Sequence, residues 1–164
     1  MRPHRQSRIN DFTMTPEQII AALCNDFSGV AAKPSWGETA LFYNPGALLA
    51  NGVYFVTLKE KDGPYDKTSH LDRALVFRLA IGLTPPTYTE LFGPRPARPP
   101  KGGVVATGHD FSQLNTLMPH PVYGWMGWAQ ILNPSRAQFT HILPLIKEAY
   151  NLAASKFNKR VGHR

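Results

Sequence analysis

Apolar positions along this chain recur at two periods, and each change of period marks an element. Ile19, Ile20, Leu23 and Phe27 keep helical spacing behind Thr15-Pro16-Glu17-Gln18. There Thr15 serves as N-cap, Pro16 takes the first helical position and Gln18 completes a capping box, while Gly29 supplies the stop. Alternation then takes over. Residues 39–43 close on Asn44-Pro45-Gly46, and residues 53–58 close on Glu60-Lys61-Asp62-Gly63-Pro64, so these strands can pair antiparallel. Residues 74–81 read as a third strand, with Leu75, Phe77, Leu79 and Ile81 on one face and Val76, Arg78 and Ala80 on the other. A short capped helix spans 84–93, and a last strand spans 125–132 before Asn133-Pro134. The closing helix, 135–157, carries Phe139, Ile142, Ile146, Ala149, Tyr150, Ala153 and Phe157 at helical spacing. Pro144 inside it should kink the helix or split off a first turn. This order predicts an α+β domain whose mainly antiparallel sheet is packed by helices on one face.

The pattern sets the domain at 13–157, between a basic arm at 1–12 that reads as unstructured and a basic tail at 158–164. Inside it, Pro94-Arg95-Pro96-Ala97-Arg98-Pro99-Pro100-Lys101-Gly102-Gly103 is an exposed, partly polyproline-II loop. At 164 residues the chain fits one domain able to bury a core without staples. The single cysteine, Cys24, excludes an internal disulfide framework and a thiolate metal cluster, and reads as a small buried hydrophobe. No apolar run reaches the length of a signal peptide or membrane span, so the expected setting is soluble and cytoplasmic. The net charge of +7 is peripheral. Nine of the 18 Lys and Arg lie in the arm, the proline-rich loop and the tail, with Lys156 just before the tail, leaving eight others against ten of the 11 Asp and Glu. Flexible basic ends can hold a phosphate backbone, which keeps nucleic acid as a weaker alternative partner.

Chemistry concentrates in two places. The run Met118-Pro119-His120-Pro121-Val122-Tyr123-Gly124-Trp125-Met126-Gly127-Trp128 sets rings beside glycines, with His120 held between prolines. The loop from Asp62 to Arg73 holds Asp66, His70, Asp72 and Arg73 within a few residues; its simplest reading is a turn held by Asx hydrogen bonds and a pair from Asp72 to Arg73 or Arg78. Arg78 interrupts an apolar strand; in a cleft it would be an anion ligand. Trp36-Gly37-Glu38 could wall a pocket, and His109-Asp110 could converge with the loop. No G-x-S-x-G, Walker loop or G-x-G-x-x-G occurs, and no ligand set for a metal appears at recognisable spacing. No cofactor is expected.

Taken together, these residues resemble a bacterial family recorded only as a domain of unknown function. The matching segments include Trp36-Gly37-Glu38, Asp66-Lys67-Thr68-Ser69-His70-Leu71-Asp72-Arg73, Pro119-His120-Pro121-Val122-Tyr123, Trp128 and Leu132-Asn133-Pro134. More distantly, Trp128 in a strand followed by a helix with Glu148-Ala149-Tyr150 is similar to the MmcQ/YjbR group. That resemblance implies an α+β fold like the secretion chaperones. The group is often labelled DNA-binding, but its basic run before the tryptophan is replaced here by the apolar Val122 to Gly127. A fold so implied carries no activity with it.

The sequence therefore reads as a non-enzymatic binding module for a small ligand or a protein partner. Its site is expected between the acidic loop and the Pro-His-Pro-Val-Tyr run, lined by Trp36, Asp66, Asp72, Arg73, Arg78, His120, Tyr123 and Trp128. Nucleic-acid binding through arm, loop and tail is one alternative. A small hydrolase or isomerase using His120 with Asp66 or Asp72 is the other.

Overall fold

Thr15 opens the first helix as its neighbours require. Its hydroxyl accepts the Gln18 N–H at 3.1 Å while the Gln18 side chain accepts the Thr15 N–H at 3.0 Å. This helix, α1, covers Pro16–Asp26 and buries Ile19 and Leu23. In the structure, a computed structural model describing residues 13–162, it is followed by β1 (Val30–Ser35), β2 (Glu38–Tyr43) and β3 (Val53–Lys59). Then come β4 (Arg78–Gly82), α2 (Pro85–Phe92), β5 (Met118–Pro119), β6 (Trp128–Leu132) and α3 (Arg136–Gly162). The strands form one six-stranded sheet in the order β1-β2-β3-β4-β6-β5. Every neighbouring pair is antiparallel, so the chain is an α+β fold.

One face of the sheet holds the core. Leu41, Val56, Leu58, Leu79, Ile81, Ala129 and Ile131 meet Ile19 and Leu23 of α1, Tyr88 of α2, and Phe139, Ile142 and Ile146 of α3. Tyr150 donates its hydroxyl to the Ser28 carbonyl at 2.7 Å, tying the long helix to the end of the first. Glu148 accepts hydroxyls from Thr84 and Thr87, which docks α2 onto α3. Glu148 and Tyr150 thus hold elements together here.

Several boundaries depart from the apolar pattern. β1 and β5 are additional strands: β1 alternates weakly, with Ala31 and Ala32 exposed, and β5 has only two residues. The strand expected at 74–81 begins only at Arg78, because Leu75 takes a left-handed backbone (φ 62°) and stands 93% exposed. The strand expected from Trp125 begins at Trp128, after a 3-10 turn over Gly124–Met126. Helix α3 neither splits at Pro144 nor stops at Phe157; it continues to Gly162, with Lys159 and Arg160 in its last turn. Cations there suit the carbonyl end of a helix. The expected basic arm lies outside the described residues.

Candidate functional site

The sheet face away from the helices is built from the alternate residue of each strand, and the register sets these into three rows. The middle row is small: Ala40 opposes Thr57 and Thr57 opposes Ala80, with Gln130 next to Ala80. On one side lies an aromatic row. Phe42 and Tyr54 touch edge-on at 5.9 Å, and Tyr54 and Trp128 lie at 5.6 Å. On the other side Lys59 opposes Arg78.

Two local devices create the aromatic row. Leu41 opposes Val56 while Phe42 opposes Tyr54, so Phe55 is an extra residue in β3. This bulge resets the alternation, turning Tyr54 away from the face where Val56 lies. Gly82, opposite Trp128, leaves room for the indole: a Cβ there would meet Trp128 carbons at 3.0 and 3.1 Å.

Polar side chains are buried on this face to an unusual degree for a sheet surface. Arg78 is fully buried, as is Gln130, with His120 at 2% and Lys59 at 8% exposure. The Arg78 guanidinium grips both Asp66 oxygens, at 2.5 and 2.8 Å. Its Nε donates to Gln130 Oε1 at 2.7 Å, and Nη2 also donates to Ser69 Oγ at 3.1 Å. Ser69 in turn donates to Gln130 Oε1, and the Gln130 amide donates to the Phe111 carbonyl. The network therefore clamps the acidic loop over the sheet at Asp66, whereas sequence reasoning gave the loop's ion pair to Asp72, with Arg73 or Arg78. Asp72 is too far along the loop, where its carboxylate accepts the Asp62 N–H instead.

His120 follows β5, and its N–H donates to the Trp128 carbonyl. Its Nδ1 accepts the N–H groups of Val122 and Tyr123 at 3.0 and 3.1 Å. The ring proton must then sit on Nε2. Burial, reinforced by the nearby charges of Arg78 and Lys59, holds the imidazole well below its ordinary pKa, so it stays neutral. The Tyr123 ring lies 5.1 Å from that imidazole. Burial raises the Tyr123 phenol, helped by Glu38 and Asp66, so it remains protonated too.

Five of the expected site residues thus share this face: Asp66, Arg78, His120, Tyr123 and Trp128. Three do not. Trp36 occupies the tip of the β1–β2 hairpin, 97% exposed, with Gly37 completing a two-residue turn of positive φ. Asp72 and Arg73 line a different cleft of about 800 Å³, together with Pro16, Leu75, Phe77 and Asn133. Two of the polar side chains in that cleft are already engaged. Arg73 donates to the carbonyls of Ser69, His70 and Ser112, and Asn133 bonds Phe77 N–H and the Leu75 carbonyl. Tyr54, Lys59, Ser69 and Gln130 were not read from the sequence as site residues. The bulge that exposes Tyr54 leaves no trace in residue type, and Lys59 reads as an ordinary strand-end lysine.

The carboxylates needed for acid–base work with His120 are committed elsewhere, Asp66 to Arg78 and Asp72 to Asp62. His109 bonds Thr107, and Asp110 bonds Ser112, whose two hydrogen bonds hold its carboxyl below the usual range. Among the described residues no three His, Cys, Asp or Glu side chains converge to hold a metal ion. Cys24 is half-buried against the core, and burial pushes its thiol pKa up.

Residues 14–162 match a family of unknown function, DUF6194. The chain belongs to that family. The match covers all of the helix–sheet core and both loops over the helix-free face, so the DUF6194 unit includes the site described above. No curated protein and no solved structure matches the chain. Among the described residues, no helix is long and apolar enough to cross a membrane.

Proposed function

We propose that this DUF6194 protein is a non-enzymatic binding module, and that its ligand is a small molecule received on the helix-free face of the sheet. The supporting observation is the company kept there. An aromatic row, half exposed at Tyr54 (49%), and the half-exposed Tyr123 (45%) beside His120 border a buried polar network centred on Arg78. Rings at a rim with a few fixed polar groups beneath are what a small ligand with a flat portion requires. The Asp66–Arg78 clamp fixes the loop that borders the site, so the polar groups are set before a ligand arrives. The cytoplasmic setting and the YjbR-like label belong to the same proposal and rest on the sequence reading.

Two cations of the nucleic-acid reading have aromatic neighbours of their own. Arg98 sits over the Trp125 ring at 4.7 Å and Lys101 over the Tyr65 ring at 4.4 Å, so each cation already covers an aromatic neighbour. A thermal-shift panel of metabolites, nucleotides and short DNA at low salt tests the reading. A ligand at 100 times its Kd should stabilise the fold by about 2.7 kcal/mol. The shift should disappear in Tyr54→Ala. Stabilisation by DNA alone, lost at high salt, would replace the proposal with the nucleic-acid reading.

A further inference from the structure

The hydrogen-bond ledger of the helix-free face is uneven. Its acceptors are used: both Asp66 oxygens take Arg78, and Gln130 Oε1 takes Arg78 and Ser69. Its donors are not. Of the five N–H bonds of Arg78, one on Nη1 is left after Asp66, Gln130 and Ser69 are served. His120, 2% exposed, has Nδ1 fully engaged by backbone and no partner on its Nε2–H. Lys59, 8% exposed, makes no hydrogen bond or ion pair among the described residues, although it opposes Arg78 in register. Its ammonium sits between two turns, where a Cβ at Gly63 would lie 3.4 Å and one at Gly37 3.9 Å from it. Among the described residues the one buried side-chain polar atom with no partner is Tyr88 Oη, in the helix-side core, so the free nitrogens of Lys59 and His120 reach the surface of this face, where an acceptor-rich guest can take them.

We infer that the ligand of this face is an anion, a carboxylate or a phosphate, whose oxygens take Lys59 Nζ, the His120 Nε2–H and the remaining N–H of Arg78. The inference rests on the binding-module reading above and adds the ligand class to it. His120 acts as a fixed neutral donor, and Lys59 supplies the charge. Register supports their sharing one face: His120 joins β6 at Trp128, Gln130 two residues further on takes Arg78 Nε, and Lys59 opposes Arg78; the charges of Arg78 and Lys59 also act on the His120 ring. Glu38, in the strand beside Lys59 and half-buried, sets a limit on the charge the site accepts, because its carboxylate faces the same region and acts on the Tyr123 phenol.

The test is a histidine-selective 1H–15N spectrum of the full chain, titrated at constant ionic strength. Three probes are used: inorganic phosphate, benzoate and the uncharged benzamide. Saturable displacement of the His120 Nε2–H signal by phosphate or benzoate is expected, and which of the two is tighter distinguishes the sources. Lys59→Met should weaken that binding about tenfold or more. Lys59→Gln serves if the methionine variant misfolds, and Glu38→Gln should tighten the binding by removing a like charge. If benzamide saturates the face and neither anion does, the anion inference is overturned while the binding module stands. If no probe moves His120, Tyr54 or Trp128, both are overturned. Anion binding unchanged in Lys59→Met would also overturn it.

Discussion

Replacing Arg78 with methionine keeps much of the side-chain stem and removes the guanidinium. Four hydrogen bonds go with it, two to Asp66, one to Gln130 and one to Ser69. Arg78 is fully buried and the Asp66 side chain is 15% exposed, so the abandoned carboxylate regains only part of its hydration. Breaking a fully buried pair from one side costs about 3–5 kcal/mol. The residual exposure of Asp66 places this case at the low end, about 3 kcal/mol. For a chain of this size that corresponds to a fall in Tm of about 6–12 °C. Urea unfolding followed by tryptophan fluorescence measures it directly. Arg78→Lys should recover less than half of the loss, since an ammonium cannot meet both carboxylate oxygens and Gln130 together. In Arg78→Met, a further Asp66→Leu change should cost little or restore stability, giving a coupling of about 1.5–3 kcal/mol. An Arg78→Met variant within about 0.5 kcal/mol of the parent chain would refute the reasoning, because it would show the clamp to be solvated.

Other consequences are as specific. His120 carries a depressed pKa in the folded chain, so above pH ~6.5 both states are neutral there and it adds no pH dependence. As pH falls below that value the unfolded chain binds a proton that the folded chain refuses, and stability drops by up to about 1.4 kcal/mol per pH unit. His120→Asn keeps an acceptor for Val122 and Tyr123 but does not titrate, so stability measured from pH 7.5 to 5 should fall less steeply in the variant; parallel curves would contradict this. Gly82→Ala should displace the Trp128 indole from Tyr54, with a changed tryptophan emission and a loss of about 1 kcal/mol in urea unfolding. Trp36→Asn should raise Tm slightly or leave it unchanged, as the ring is exposed and asparagine suits a positive φ of 52°.

The sequence conveyed the helix-side architecture because burial there follows simple periods. Thr15, Pro16 and Gln18 locate α1, and Phe139 to Phe157 trace the buried stripe of α3. The strand of Leu79 and Ile81 was legible in its core half; the lead-in was not, since an apolar Leu75 in a left-handed bend mimics strand alternation. On the helix-free face, Asp66, Arg78, His120, Tyr123 and Trp128 were recognisable as chemistry-bearing types. Their grouping depends on register and on the Phe55 bulge, which residue identity does not encode. Trp36 lies apart from that grouping: with Gly37 and Glu38 it walls a separate cleft at the hairpin tip, a distance from Arg78 that residue identity does not encode. Asp72 stands close to Arg73 in sequence, yet Asp66 reaches Arg78 because the Gly63–Asp66 turn folds that part of the loop back over β3 and β4.

The central claim is the location of the ligand, and backbone amide shift mapping with a compound that stabilises the fold tests it most directly. The account predicts perturbations concentrated at Tyr54, Lys59, Arg78, His120, Tyr123 and Trp128. Perturbations confined to Glu17, Asp72, Leu75, Phe77 and Asn133, around the 800 Å³ cleft, would contradict it and move the site to the other side of the acidic loop.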